Sequence, residues 1–229
     1  MIDFTPFETK IGFVFKNKRL LEQAFTHRSH LNENRGTGRE HNERLEFLGD
    51  AVLELVVSDF LFGKYPDKPE GDLTAFRAAL VNTQSISEAA SSLGMNDYLL
   101  LSRGEAKDTG RARMIILANA FEALIGAIYI DQGYDAARDF IAGALFHKTD
   151  DVVEKRLWQD AKSRFQELSQ EHHGVTPVYQ VLDQSGPDHS KSFVSGVYIG
   201  QELVAKGEGL SKQEAEQDAA QKGLTAKGW

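Results

Sequence analysis

Two long apolar runs each carry carboxylates where a core helix ordinarily has none. Residues 114–130 are almost wholly hydrophobic, interrupted by Glu122 and the amide Asn119. Residues 44–57 repeat the pattern with Glu46, Asp50 and Glu54. An ionised carboxylate in such surroundings costs several kcal/mol unless something compensates it, and a bound cation is the usual compensation. Glu46 and Asp50 are four residues apart and Asn119 and Glu122 three apart, so each pair shares one helix face. Oxygen donors from two facing helices suit a hard divalent cation. In the bland reading, Glu46 or Asp50 is half of an ion pair with Arg44 or Arg77. That reading leaves Glu122 without a partner. Glu54 extends the acidic stripe to where the helix reaches solvent.

These residues need helices to hold them. Helical spacing predicts elements over 4–14, 18–27, 44–62, 73–92, 114–130 and 136–145, with a mobile loop at 32–42, a break at Tyr65-Pro66 and a charged loop at 102–113. His27 is read as a structural hydrogen-bonding residue, and Arg103, Arg111 and Arg113 as solvated loop residues. Residues 148–156 are charged and read as a linker. Beyond them the period changes. A helix over 160–172 precedes strands at 175–182, 192–198 and 201–207, and Ser211 with Glu214 forms a capping box for a last helix with Ala215, Ala219 and Ala220 on one face. His172-His173 reads as a helix end, because adjacent residues do not share a face.

Bulk properties remove whole classes of function. The 229 residues contain no cysteine, which excludes disulfides, thiolate metal sites and cysteine nucleophiles. The first residues lack the basic region and apolar run of a signal peptide, and no uncharged stretch has the length of a membrane span, so a cytoplasmic protein without membrane association is expected. Net charge is −8. Residues 156–229 account for only −2 of it, with 8 basic and 10 acidic side chains. Local clusters rather than that average decide phosphate binding.

Residues 42–50, Asn-Glu-Arg-Leu-Glu-Phe-Leu-Gly-Asp, resemble the signature of the ribonuclease III family. Phe25-Thr-His-Arg-Ser29, Glu70-Gly71 and residues 117–129 agree with it. Residues 166–167, 186–189 and 207–220 resemble a double-stranded RNA-binding domain. The resemblance implies an all-α endonuclease and dimerisation domain over 1–147, a linker at 148–156, and a small α+β (α-β-β-β-α) RNA-binding domain over 157–227. It implies cleavage of double-stranded RNA with Mg²⁺, for which Mn²⁺ can substitute, by a homodimer that leaves staggered ends in ribosomal and messenger RNA processing. Glu46, Asp50 and Glu122 fall on catalytic, metal-binding positions, and Asn119 on a fourth metal position where the family usually has aspartate. Glu43 and Glu70 fall on assisting acidic positions, and Phe47 on a residue that packs into the partner subunit. In the second domain, Ser163, Gln166, Glu167, Gln170 and His189 match minor-groove contacts. Lys212 and Gln213 match phosphate contacts, Gln213 standing where a second lysine is common. Asn119 supports one rival, a double-stranded RNA-binding protein that no longer cleaves. Hydrolysis of another phosphodiester is a third reading, which the RNA-binding segment opposes.

Overall fold

The computed structural model describes residues 2–34, 38–154, 158, 160–186 and 191–229. They form two compact units, Met1–Trp158 and Gln159–Trp229. The first is helical and the second has a three-stranded antiparallel sheet, as the sequence predicts.

The first unit contains α1 (Thr5–Ile11), α2 (Lys18–Ala24), α3 (Arg28–Glu33), α4 (Glu43–Lys64), α5 (Glu70–Val81), α6 (Thr83–Ser92), α7 (Arg111–Gln132), α8 (Tyr134–Leu145) and α9 (Thr149–Glu154). Its axis is the packing of α4 on α7. Eleven residues of α7 are buried, from Ile116 to Ile128, so the helix is apolar nearly all round and has neighbours on every side. By length and composition α7 could cross a bilayer, but 61% of its apolar window is buried inside this unit, which makes it a core helix. Phe4, Phe7, Phe25 and Tyr98 cluster at one end of the core.

Several boundaries differ from expectation for local reasons. Helix α1 stops at Ile11 rather than residue 14, because Gly12 turns left-handed at φ 70° and closes the helix onto Glu8 and Thr9 carbonyls. The predicted helix over 73–92 is two helices. Asn82 is extended (φ −65°, ψ 157°) and its side chain accepts from the Ser85 N–H at 2.8 Å, capping α6. Residues 28–33, partly assigned to a loop, form α3, which His27 caps through Nδ1. Residues 35–37 of the expected mobile loop lie outside the described residues. The expected linker is helical over α9, with Thr149 and Val152 buried against the first unit, so the charge run is only its outer face.

The second unit runs α10 (Ala161–His173), β1 (Val178–Ser185), β2 (Ser192–Ile199), β3 (Glu202–Gly209) and α11 (Lys212–Lys227), with strand order β1-β2-β3. Phe165, Val197, Ala219, Ala220 and Leu224 form its core. Gly207 lets β3 meet α11 directly, since a Cβ there would lie 2.0 Å from the Ala219 nitrogen. Ser211 Oγ accepts from the Glu214 N–H at 3.1 Å, and the Glu214 carboxylate reaches back to the Leu210 N–H at 3.0 Å. The box therefore closes one residue earlier than the usual pairing with the cap's own N–H.

Candidate active site

The acids are brought together by two glycines. A Cβ on Gly49 would lie 1.8 Å from the Glu122 carbonyl oxygen, and one on Gly126 would lie 2.2 Å from the Leu45 carbonyl oxygen. Helices α4 and α7 thus touch backbone to backbone and run antiparallel, Leu45 opposite Gly126 and Gly49 opposite Glu122. Glu46 and Asp50 flank Gly49 on α4, and Glu122 is itself the α7 contact residue.

Crowding is legible in the protonation equilibria. Burial, followed by the charges of Asp50, Glu46 and Glu54, pushes the Glu122 carboxyl up to about 8. Burial, then the charges of Glu43 and Asp50, raises Glu46 as well. Burial is uneven, however. Glu46 and Glu122 are half-buried, whereas Asp50 is exposed. Neither Arg44 nor Arg77 neutralises the cluster. Arg77 Nε instead pairs with Glu54 at 2.8 Å, and Arg77 Nη1 donates to Ser58 Oγ at 2.9 Å. Glu54, expected at the solvent edge, is half-buried and clamped.

The donor set is three carboxylates and, one turn before Glu122, the half-buried amide Asn119. All-oxygen donors whose mutual repulsion a cation relieves fit a hard divalent ion. Among the described residues, no three acidic or histidine side chains yet stand close enough to hold one. Side-chain rotation on fixed helices would have to close the set. Glu43 is exposed near Arg28 (3.5 Å) and His41 (3.7 Å). Glu70 is exposed at the start of α5, where its Oε1 accepts from Thr74 Oγ1 at 2.9 Å. His27 stays out of the cluster, and burial lowers its affinity for a proton. Arg113 is tied down, donating to Asn96 Oδ1 at 3.0 Å and to the Glu105 carbonyl at 2.7 Å. Phe47 points outward and is 81% exposed.

In the second unit, Ser163, Gln166 and Gln213 line one depression of about 370 Å³ between α10 and α11. Ser163 Oγ is engaged with Asp160 at 2.9 Å and Gln170 Nε2 with Thr176 at 2.6 Å. Glu167 and Lys212 are exposed. His189 lies outside the described residues. At the far end of α10, Trp229 stacks on His172 with ring centroids 5.3 Å apart and leans on Phe165, so this histidine pair sheathes the core.

Residues 17–149 match the Ribonuclease-III-like family profile, and residues 161–226 match the double-stranded RNA binding motif. The chain belongs to the ribonuclease III family. A relative called Ribonuclease 3 from Desulforamulus reducens is 48% identical over 93% of this chain and 87% of its own length. Another Ribonuclease 3, from Geobacillus kaustophilus, is 47% identical over 96% of this chain and 89% of its own. The solved nuclease domain of ribonuclease III from Campylobacter jejuni superposes with a TM-score of 0.55 at 40% identity, covering 62% of this chain and 98% of that domain. As a ribonuclease III, the chain is an endoribonuclease that acts on double-stranded RNA, and its family points to a divalent metal cofactor.

Proposed function

We propose that this ribonuclease III hydrolyses duplex RNA with Mg²⁺, or Mn²⁺ in its place, as a cytoplasmic homodimer. Its two sites cut opposite strands and leave staggered ends during ribosomal and messenger RNA processing. The observation that carries this reading is the close backbone contact at Gly49 and Gly126, which sets the α4 turns bearing Glu46 and Asp50 against Glu122 on α7.

Glu46, Asp50 and Glu122 would hold the cation, with Asn119 offering a carbonyl oxygen but no charge. A bound divalent cation supplies neutralisation of the phosphate and a water of lowered pKa. The protein's own contribution is positional. Rigid helices fix the backbone positions of the acids, so only side-chain rotation would be left to close the set around the ion. Glu122 stays protonated up to about 8 without a cation and must lose that proton to ligate. Glu43 and Glu70 would add negative charge at the rim. Ser163, Gln166, Glu167, Gln170 and His189 suit the shallow minor groove of A-form RNA, and Lys212 and Gln213 suit phosphate at the start of α11. Phe47 is the proposed contact to the second subunit. The Campylobacter structure describes a region of that protein involved in dimer formation.

The test is incubation of a long labelled RNA duplex with the protein and with Glu122→Gln, in Mg²⁺ and in EDTA. Short duplexes should appear only with metal and the parent protein, while both proteins shift the duplex in a gel. Parental cutting by Glu122→Gln would remove Glu122 from the chemistry. Binding without cutting by the parent would favour the non-cleaving reading that Asn119 supports.

A further inference from the structure

We infer that Asn42 is a positioning residue for the proposed cation site. Its buried amide ties the first turn of α4, which carries Glu43 and Glu46, to the end of α2. The inference rests on the proposed nuclease site and adds to it a residue that touches neither ion nor RNA. An asparagine directly before a helix ordinarily caps it, the side-chain oxygen accepting from an N–H of the first turn. Asn42 occupies that place before α4 but makes no such bond. Its amide turns away instead, and Nδ2 donates to the Ala24 carbonyl at 3.2 Å. Ala24 ends α2, where a helix leaves its own carbonyls without partners. The Asn42 N–H donates to the Thr26 carbonyl at 2.9 Å, so side chain and backbone grip the same junction.

That junction is itself held on several sides. Asn42 and Thr26 are buried, and Thr26 Oγ1 donates to the Glu22 carbonyl at 2.7 Å. The Leu100 N–H donates to the Phe25 carbonyl at 2.8 Å, and the Leu100 carbonyl accepts from the His27 N–H at 3.0 Å. From this anchor the Asn42 carbonyl accepts the Glu46 N–H at 2.9 Å. One residue before Glu46, the Leu45 carbonyl lies against Gly126. The peptide that bears Glu46 is therefore held from both sides, by Asn42 and by the glycine contact. The glycines set how closely the helices approach. Asn42 gives the first turn of α4 no cap of its own, so the tie to α2 is what keeps that turn from fraying. Glu43 directly follows Asn42 and has Arg28 of α3, just beyond the same junction, 3.5 Å away.

The experiment compares the full-length, RNA-free parent with Asn42→Ser, Asn82→Ala and Glu122→Gln. Serine caps a helix as well as asparagine does but is one bond too short for the Ala24 carbonyl, so the tie breaks while α4 can gain a cap. Asn82→Ala removes the α6 cap and so loosens the same unit elsewhere. Mn²⁺ titration is followed by the loss of the free-ion electron paramagnetic resonance signal. Asn42→Ser should bind about tenfold more weakly, the lower end for losing a ligand's outer support, and Asn82→Ala should bind as the parent does. In metal-free hydrogen exchange by nuclear magnetic resonance, Asn42→Ser should unprotect the Glu46 amide more than those at 52–57. Parental affinity or parental Glu46 protection in Asn42→Ser overturns the inference. So does an equal loss of affinity in Asn82→Ala, which would make the effect one of general stability. Should Asn42→Ser fail to fold, the side-chain amide protons of Asn42 in the parent decide. Slow exchange supports the tie, and exchange at the rate of an exposed asparagine overturns it. Mn²⁺ binding that survives Glu122→Gln would instead overturn the nuclease site itself, and the inference with it.

Discussion

At the scale of single residues, the fold shifts the protonation of Glu122 strongly. Its ordinary carboxyl value is 4.5, and the fold pushes it up to about 8. The folded state thus holds this proton more tightly than the unfolded chain does. The resulting stability is present in full below 4.5 and is lost as pH rises through 8. In EDTA, the melting temperature should fall between pH 5 and pH 9, and Glu122→Gln should flatten that fall. Equal slopes for the two proteins would mean that Glu122 titrates normally. Asn119→Asp adds the missing ligand charge and should lower the Mg²⁺ concentration for half-maximal cleavage by about three- to tenfold. An unchanged Mg²⁺ dependence would place Asn119 away from the ion. The three acids were legible in the sequence because each interrupts an apolar run. The Glu54–Arg77 pair was not, since its partners are 23 positions apart and only the fold makes them neighbours.

At the scale of elements, the helices that could be read were those whose apolar period matches their burial. Helix α3 buries none of its residues, so no period announced it. Helices α5 and α6 merged in the reading because their apolar spacing continues across Asn82, although an asparagine three residues before the N–H it caps was a usable signal. Gly49 and Gly126 carry the sharpest prediction. Gly49→Ala would place its Cβ 1.8 Å from the Glu122 carbonyl, which side-chain rotation cannot relieve. The substitution should cost at least about 2 kcal/mol, as overpacking does, and it should reduce cleavage beyond what the lost folded fraction explains. Urea unfolding monitored alongside single-turnover cutting would check both. Parental stability would mean that the helices separate easily.

At the scale of the whole molecule, one exposed face of α4 stands out. Phe47, Leu55 and Phe62 are 81%, 57% and 74% exposed. Phe47 and Leu55 are eight residues apart on one face, and Leu55 and Phe62 lie seven apart. Beside them Leu55, Leu61, Phe62 and Leu73 line an open, largely apolar hollow of about 530 Å³. Such a surface on a helix that also carries the acids fits the proposed dimer. Phe47→Ala should weaken self-association about tenfold or more in sedimentation velocity, as an aromatic interface anchor does, without lowering the melting temperature of the dissociated protein. The family resemblance alone suggested Phe47 as such a contact, while the hollow needed the packing of α4 against α5 to exist. The glycine contact has a longer reach than either prediction. Where two helices meet through peptide groups, their spacing owes nothing to which hydrophobic side chains fill the rest of the interior. Substitutions elsewhere in the core can drift in volume, altering how firmly the domain holds together, while the gauge of the acid-lined gap is inherited unchanged.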